Sequence, residues 1–309
     1  MSAQRAAGLF LFMGVAFGAA FPAIKAGLAD APPLLFAALR YDLAALLLVA
    51  YAAFVLRDWR PHRRADWLAV LAGGLLFFGS TGFLYLGQQY TTAGVAAIIY
   101  SLGPILTVVL AWVLLPAERL SRRALVGVLI GLVGVVLVVR PTPEALFSDG
   151  FRGKLLVLTA ITGVTLGSIG IRKSGSHMPA ATTTGLSLAL GGAVLHVGSL
   201  LSGEPQAVAL TPTFIGSYLY LAIVATTMGF VAYFSLLDRV GPHQANLVVY
   251  VVPVVATIVG WAWLGEHLPA VTLAGFLVIF GGFLVVKWSE LSRSVQSAWI
   301  RARAQHAWR

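Results

Sequence analysis

Four side chains able to hydrogen-bond or stack recur within one apolar run of the chain. Successive members are separated by 3, 4 and 3 residues, which places them on one face of an α-helix. They are Phe78, Thr81, Tyr85 and Gln88. Hydroxyl, phenol and amide groups are costly against hydrocarbon, so we predict that this face lines a pocket for a small amphipathic solute. The alternative for each residue is interhelical hydrogen bonding, which is ordinary between membrane helices.

Similar side chains occur in five other apolar runs, and we predict that they surround the same pocket. The remaining predicted solute-binding residues are Phe17, Phe21, Ser101, Thr165, Thr226, Phe230, Tyr233, Asn246 and Tyr250, with Thr162 and Ser168 near Thr165. Pro104 and Pro253 lie inside two of these runs. Each proline removes a backbone donor and frees carbonyl groups that can line a cavity.

Three ionisable residues within or at the ends of apolar runs are assigned to gating or coupling: Lys25, Arg40 and Asp42. Arg40 and Asp42 are separated by about 200° around a helix, so each is expected to find its partner elsewhere. Arg40 either clamps its helix to a carboxylate or to helix-end carbonyls, or it binds a solute carboxylate. Asp42 is either a proton carrier or a structural residue. Lys25 is either an interfacial anchor or a gate that attracts anions.

The composition of the chain excludes a soluble globule. Its 309 residues are 59% hydrophobic and 10% charged, whereas about a quarter of the residues in a soluble domain are charged. Runs long enough to cross about 30 Å of hydrocarbon are predicted at roughly 6–28, 33–56, 66–89, 92–115, 122–139, 152–171, 179–202, 212–237, 242–264 and 270–288. We therefore predict an all-α membrane protein with ten transmembrane helices.

Several kinds of site lack their residues in this sequence. There is no cysteine, the histidines lack metal-ligand spacing, and there is no nucleotide-binding loop. We predict no disulfide, no metal, no other cofactor and no catalytic residues.

The distribution of Lys and Arg sets the topology. The net charge of +10 is concentrated between the apolar runs, which favours a topology signal over nucleic-acid binding. Counted by side, 16 of these residues fall on one face of the membrane and 4 on the other, with Arg40 inside a run. Because cytoplasmic loops are enriched in Lys and Arg, we predict a multi-pass protein of the inner (cytoplasmic) membrane with both termini in the cytoplasm. The basic segment 291–309 is predicted to be a cytoplasmic tail, either solvated or lying on membrane lipid.

The second half of the chain repeats the first. A proline within an apolar run is followed by a glutamate at the end of that run and by two glycines in the next, 9 and 16 residues after the glutamate. The first copy is Pro104, Glu118, Gly127 and Gly134, and the second is Pro253, Glu266, Gly275 and Gly282. We predict two five-helix halves, 1–145 and 146–290, which are inverted because five is odd. The prolines and glutamates are assigned structural roles, the glutamates capping or bracing helix ends.

The accumulated motifs resemble the ten-helix drug/metabolite transporter superfamily in its EamA-type branch. They are Ala38-Leu39-Arg40-Tyr41, Tyr90 to Ala97, Pro104, Leu114 to Glu118, Tyr250 to Pro253 and Trp263 to Glu266. The resemblance spans the chain and implies a transporter, with amino acids, purines, drugs, nucleotide sugars and organic phosphates among the cargoes of the superfamily. Many relatives carry an acidic residue where this chain has Val252, so a mechanism that uses a carboxylate there is in doubt.

Inverted repeats are a recurring design of secondary transporters. The sequence therefore predicts a transporter rather than an enzyme, exporting amino acids or similar small metabolites by alternating access. The solute and membrane lipid are its expected partners, with the proton as a possible coupling ion and no nucleic acid. The oligomeric state is left open. The alternatives are a carrier for organic phosphates or other anionic metabolites, a membrane-embedded lipid enzyme and a scaffold.

Overall fold

The computed structural model describes residues 3–56, 59–114, 121–140, 147–236 and 247–286. Every regular element in these ranges is helical. Eight helices are long and apolar enough to cross a membrane, and two shorter apolar helices complete the set. The prediction of an all-α membrane protein is thereby confirmed for this part of the chain. Glu118, Asn246 and the 291–309 tail, all named above, lie outside the described residues.

The helices are numbered here in chain order. They are α1 (Ala7–Gly27), α2 (Pro33–Val55), α3 (Arg64–Gln88), α4 (Ala93–Leu114), α5 (Arg122–Val139), α6 (Asp149–Ser174), α7 (Ala180–Leu201), α8 (Pro212–Leu236), α9 (Val248–Leu264) and α10 (Ala270–Val286).

Helix ends coincide with residues that terminate helices for local reasons. A hydroxyl side chain accepts a hydrogen bond from the first turn at the start of α4, α5, α6 and α8, in the order Thr92, Ser121, Ser148 and Thr211. At the other end of α6 and α9, the chain turns at Gly175 and Gly265, with φ of 67° and 65°. A residue without a Cβ adopts that left-handed conformation at no steric cost.

Two helices contain π-helical segments at corresponding places in the two halves. In α3 the segment is Ala72–Phe78, followed by a 3₁₀ turn at Gly79–Thr81. In α8 it is Tyr220–Met228. The first residues of the segments are 148 residues apart, which is the period of the sequence repeat. Such segments are rare and often lie at functional sites, so both helices are irregular where they pass the centre of the bundle.

The halves of the chain interleave rather than forming separate bundles. α2 packs on α7, α3 on α6 and α7, α1 on α8 and α9, and α4 on α9. Helices from one half therefore contact helices from the other through much of the molecule.

The glycines of the sequence repeat form the contact between α5 and α10. A Cβ on Gly127 would lie 2.5 Å from the Gly282 carbonyl oxygen, and one on Gly282 would lie 2.6 Å from that of Gly127. Gly134 and Gly275 face each other in the same way. A Cβ on Gly134 would lie 2.8 Å from the Gly275 carbonyl oxygen, and one on Gly275 would lie 3.0 Å from that of Gly134. Small residues let membrane helices approach backbone to backbone, which explains why both copies keep glycine at these positions.

The outer face of α5 is apolar and exposed. Six of its large apolar residues are between 47% and 57% exposed: Leu125, Val126, Leu129, Leu132, Val133 and Val136. A surface of this kind is unfavourable in water and suits contact with lipid.

Candidate functional site

A cavity of about 990 Å³ lies between the helices. Among the described residues, every helix except α5 contributes to its wall. The wall is mostly apolar and aromatic, with several hydroxyl side chains: Thr81, Ser101, Thr107, Thr165, Ser168, Thr183, Thr184 and Ser187. A pocket of this size with a few polar groups on an apolar lining is typical of a small-molecule site.

Phe78 lines this cavity, and so do seven of the other predicted solute-binding residues. They are Phe17, Phe21, Thr81, Ser101, Thr165, Phe230 and Tyr233, and Pro104 joins them. Phe230 links three helices, because its ring meets Phe17 of α1 edge-on at 6.1 Å and Phe78 of α3 at 5.8 Å. Pro104 follows a break in α4 at residues 101–102, whereas the helix around Pro253 is continuous and Pro253 does not contribute to the wall.

Four other predicted solute-binding residues are placed between helices instead of in the cavity wall. Tyr85 is fully buried, packs on Phe36 at 5.4 Å and accepts a hydrogen bond from Arg40. Gln88 donates to the Phe21 carbonyl at 3.2 Å, and Tyr250 packs on Phe283 at 4.2 Å. Thr226 accepts from Arg40. A polar residue in hydrocarbon is also satisfied by a neighbouring helix, so helical spacing alone does not separate the two roles.

Arg40 lies in the cavity wall and is held by two hydroxyl groups. Its Nε donates to Thr226 Oγ1 and its Nη1 to the Tyr85 hydroxyl, each at 3.0 Å. The guanidinium carbon also lies 5.3 Å from the centre of the Tyr41 ring. A carboxylate or a helix-end carbonyl was the expected protein partner of Arg40, whereas in the structure its partners are two hydroxyl groups. They fix the orientation of the cation without neutralising it.

Asp42 points to a different partner from Arg40 and does not line the cavity. Its carboxylate lies 2.7 Å from Nε2 of His196 on α7, with the two side chains 48% and 35% exposed respectively. The Tyr218 phenol on α8 lies within electrostatic range of Asp42. One side of α2 therefore carries a cation that faces the cavity. Another side carries a carboxylate that contacts a histidine of α7.

At one end of the bundle, here called the capped end, carboxylates cap the starts of helices. Glu204, in the α7–α8 connection, accepts from the backbone N–H groups of Leu34 and Leu35 at 3.1 and 3.0 Å and from the Ser199 hydroxyl at 2.7 Å. Its negative charge therefore sits at the N-terminus of α2, where the helix dipole and free N–H groups favour an anion.

Two further contacts join the halves at the capped end. Glu266, after α9, accepts from the Ala93 N–H at the start of α4 at 2.9 and 3.0 Å. Asp30, before α2, accepts from the hydroxyl of Thr211 at 2.6 Å. Lys25 donates to the Gln88 carbonyl at the end of α3, so it caps a helix C-terminus close to Glu266.

At its opposite end, here called the α6–α7 end, the cavity extends to the α6–α7 connection. Ser176 and Met178 of that connection line the cavity, together with Ala180 at the start of α7. The Ser176 hydroxyl donates to Asp66 at 2.6 Å, and Asp66 in turn accepts from the N–H groups of His62 and Arg63.

Sequence reasoning missed several residues at this site. Tyr100 lines the cavity and directly precedes Ser101, which was predicted to line it. Glu204 lies in a loop beyond the apolar runs, and His196 was scored only for metal-ligand spacing. Their roles depend on contacts across more than 150 positions, for which the sequence gives no local signal.

Apolar helices that enclose a solute-sized cavity define this protein as a multi-pass membrane protein of the transporter class. The model of the EamA-like transporter family matches the chain twice, over residues 4–140 and 151–288. The chain belongs to that family.

Relatives and a solved structure agree with this assignment. An uncharacterized transporter of Bacillus subtilis strain 168 is 27% identical over 97% of both chains. A protein of Salmonella typhimurium named a probable amino-acid metabolite efflux pump is 31% identical, over 90% of this chain and 93% of its own. A chain of known crystal structure has the same fold, with a TM-score of 0.64 at 20% identity and coverage of 95% of this chain and 99% of that one.

Proposed function

We propose that the protein is a secondary transporter that exports amino acids or similar small metabolites by alternating access. One observation carries the proposal: a solute-sized cavity lies between the helices of the two halves, and at its capped end carboxylates of one half hold helices of the other half. Alternating access requires a site that is reached from one side at a time as the halves rock against each other. Hydrogen bonds between the halves at the capped end can break and re-form as that end opens and closes, which is suited to that motion.

The charge distribution supports an orientation. The connections at the capped end fall on the side with 4 Lys and Arg residues, and those at the α6–α7 end fall on the side with 16. By the positive-inside rule the capped end faces outward, in an inner membrane with both termini in the cytoplasm. In the proposed transport cycle, this orientation with the capped end closed corresponds to the inward-facing state.

The two-half organisation, 1–145 and 146–290 with a tail at 291–309, is part of the proposal. It is supported by the two family matches, by the π-helical segments 148 residues apart and by the reciprocal glycine contact of α5 with α10. The cargo class is supported by the name of the Salmonella relative and by the size of the cavity. No step makes or breaks a covalent bond, so the residues bind and release the solute.

Flux in proteoliposomes tests this function. The purified protein is reconstituted, and the uptake of labelled amino acids, purines and organic phosphates is measured with and without an imposed pH gradient. Saturable flux of amino acids is expected. Saturable flux of organic phosphates alone would favour the anion-carrier alternative, and no flux from folded, inserted protein would leave the transporter proposal without support.

Asp42 and His196 are proposed to couple transport to protons. Oδ2 of Asp42 on α2 and Nε2 of His196 on α7 lie 2.7 Å apart. Asp42→Asn should abolish the component of flux that depends on the pH gradient while leaving counterflow, which needs no proton. Asp149→Asn, at an exposed helix start, is the matched control. Unchanged gradient dependence in Asp42→Asn would remove the pair as carrier.

A further inference from the structure

Arg40 is a fixed positive charge in the cavity wall that no described carboxylate neutralises. The acids in the described ranges have other neighbours or lie elsewhere: Asp30 binds Thr211, Asp42 binds His196, Asp66 binds Ser176, Glu204 caps α2, Glu266 caps α4 and Asp149 starts α6. A cation within a membrane span is costly when it lacks an anion or a water-filled surrounding. The counter-ion of Arg40 is therefore expected to bind in the cavity.

The hydrogen bonds of Arg40 leave suitable donors for that anion. A guanidinium carries five N–H donors in a planar fork. Thr226 takes the Nε donor and Tyr85 takes one Nη1 donor, so the second Nη1 donor and both on Nη2 have no partner among the described residues. Adjacent donors on Nη1 and Nη2 match the two oxygens of a carboxylate. Because Thr226 and Tyr85 hold the fork in place, its orientation is fixed before the solute binds.

Tyr100 supplies a second, independent observation. Its side chain lines the cavity, and its hydroxyl oxygen is buried with no hydrogen-bond partner in the described part of the chain. It lies within electrostatic range of Arg40. A buried hydroxyl left without a partner costs free energy, and a solute oxygen beside Arg40 would satisfy it.

The other residues that line the cavity indicate which further chemical groups the solute has. No Asp or Glu occurs among the residues that the structure shows lining the cavity, so a solute ammonium group finds only hydroxyls and aromatic faces. The rings of Phe17, Phe78 and Phe230 form an apolar cluster suited to a hydrocarbon or aromatic body.

We propose that Arg40 and Tyr100 bind the carboxylate of the transported solute, and that the protein selects amphipathic monocarboxylates over the corresponding amides. The inference deepens the proposed function and rests on it. A single cation matches a single negative charge, and a phosphate dianion would leave one charge uncompensated in the cavity. The alternative of an organic-phosphate carrier is therefore disfavoured.

Binding to the purified protein tests the proposal with matched pairs of solutes. The probes are L-phenylalanine, 3-phenylpropionate and L-phenylalaninamide, with L-leucine, 4-methylpentanoate and L-leucinamide as the aliphatic series. In at least one series, both carboxylates should bind about 30–100-fold more tightly than the amide, since charge-assisted bidentate hydrogen bonds are lost in the amide. Equal affinity for carboxylate and amide in both series, or binding of neither, would overturn the proposal.

Three variants separate binding from folding. Arg40→Gln should lower carboxylate affinity about 30–100-fold and leave amide affinity unchanged. Tyr100→Phe removes a hydroxyl that has no described partner, so it should lower carboxylate affinity several-fold at unchanged thermal stability. Arg152→Gln, at an exposed site where the guanidinium stacks over Tyr90, is the control and should bind like the wild type.

The outcomes distinguish this proposal from the function on which it rests. If Arg40→Gln weakens carboxylates and amides equally, Arg40 has only a structural role, although transport itself would stand. If saturable flux is found only for solutes without a carboxylate, the carboxylate site is wrong and the transporter remains. If no solute crosses at all, the proposed function fails first.

Discussion

Gly282→Ala is expected to lower the apparent melting temperature of the detergent-solubilised protein by about 5–10 °C. A Cβ at this position would lie 2.6 Å from the Gly127 carbonyl oxygen and 2.7 Å from the Gly131 nitrogen. Both atoms belong to the backbone of α5, so neither can rotate away and the helices must separate. Overpacking of this kind costs about 1–3 kcal/mol, and each kcal/mol lowers the melting temperature by a few degrees in a chain of this size.

The neighbouring glycine provides the control for this prediction. A Cβ on Gly281 meets nothing within 4 Å, so Gly281→Ala should leave the melting temperature unchanged or raise it slightly, because alanine is the better helix former. Gly127→Ala, on the other side of the same contact, should reproduce the loss seen for Gly282→Ala. If both Gly281→Ala and Gly282→Ala are neutral, α5 and α10 do not pack backbone to backbone.

Removing two carboxylates at the capped end should open the cavity to the outside. In the Glu204→Ala, Glu266→Ala double variant, helix N-termini of α2 and α4 lose the acceptors for Leu34, Leu35 and Ala93. Loss of hydrogen bonds to a charged group costs about 1.5–3 kcal/mol each, so the state in which the capped end is held together should lose at least tenfold in relative population.

Thiol labelling of intact cells measures that shift. Phe21→Cys places a single thiol in the cavity wall of a chain that has no native cysteine. With an impermeant reagent added outside, the double variant should react at least about tenfold faster than the same cysteine in the wild-type background. Asp149→Asn, another carboxylate change at a helix start, should not accelerate the reaction. Equal rates in all three would show that these carboxylates do not hold the capped end closed.

The parts of this structure that depend on local patterns were predictable from sequence. Ten apolar runs gave the helices, since hydropathy and length together require a helix in hydrocarbon. The spacing of Gly127, Gly134, Gly275 and Gly282 gave the repeat, and the structure adds that these glycines meet each other. These four glycines recur at the same spacing in both copies of the repeat. Such a pattern can be recognised in the sequence without knowledge of the fold.

The parts that depend on long-range pairing were not predictable. Tyr85 and Thr81 share a stripe on α3, yet Thr81 lines the cavity and Tyr85 binds Arg40 behind it. A polar residue in an apolar run gives the same hydropathy pattern whether it lines the cavity or bonds to another helix. Here only the position of α2 distinguishes the two roles. The π-helical segments of α3 and α8 also went unforeseen, because a single inserted residue per segment leaves the apolar pattern almost unchanged.

The partner of Asp42 shows the same limit. His196 lies 154 positions away, on a helix of the other half, and a lone histidine within an apolar run is usually a packing residue. The angular argument that excluded Arg40 as the partner of Asp42 was correct, since helical geometry is local. Identifying the true partner required knowing that α2 and α7 pack together.

Passage of the solute through the cavity can be tested by blocking that cavity in a working protein. Ser168 lines the cavity with an exposed side chain, and Ser168→Cys changes only oxygen to sulfur in a chain without other cysteines. Amino-acid flux in proteoliposomes is measured before and after labelling with a bulky thiol reagent. Leu129→Cys, on the exposed apolar face of α5, is the matched control.

Labelling of Ser168→Cys is expected to abolish most of the flux, excess solute should slow the labelling, and labelled Leu129→Cys should keep its flux. Because labelled and unlabelled protein come from one folded preparation, misfolding cannot produce the difference. Full flux through protein that is completely labelled at Ser168→Cys would contradict the claim that the solute passes through this cavity.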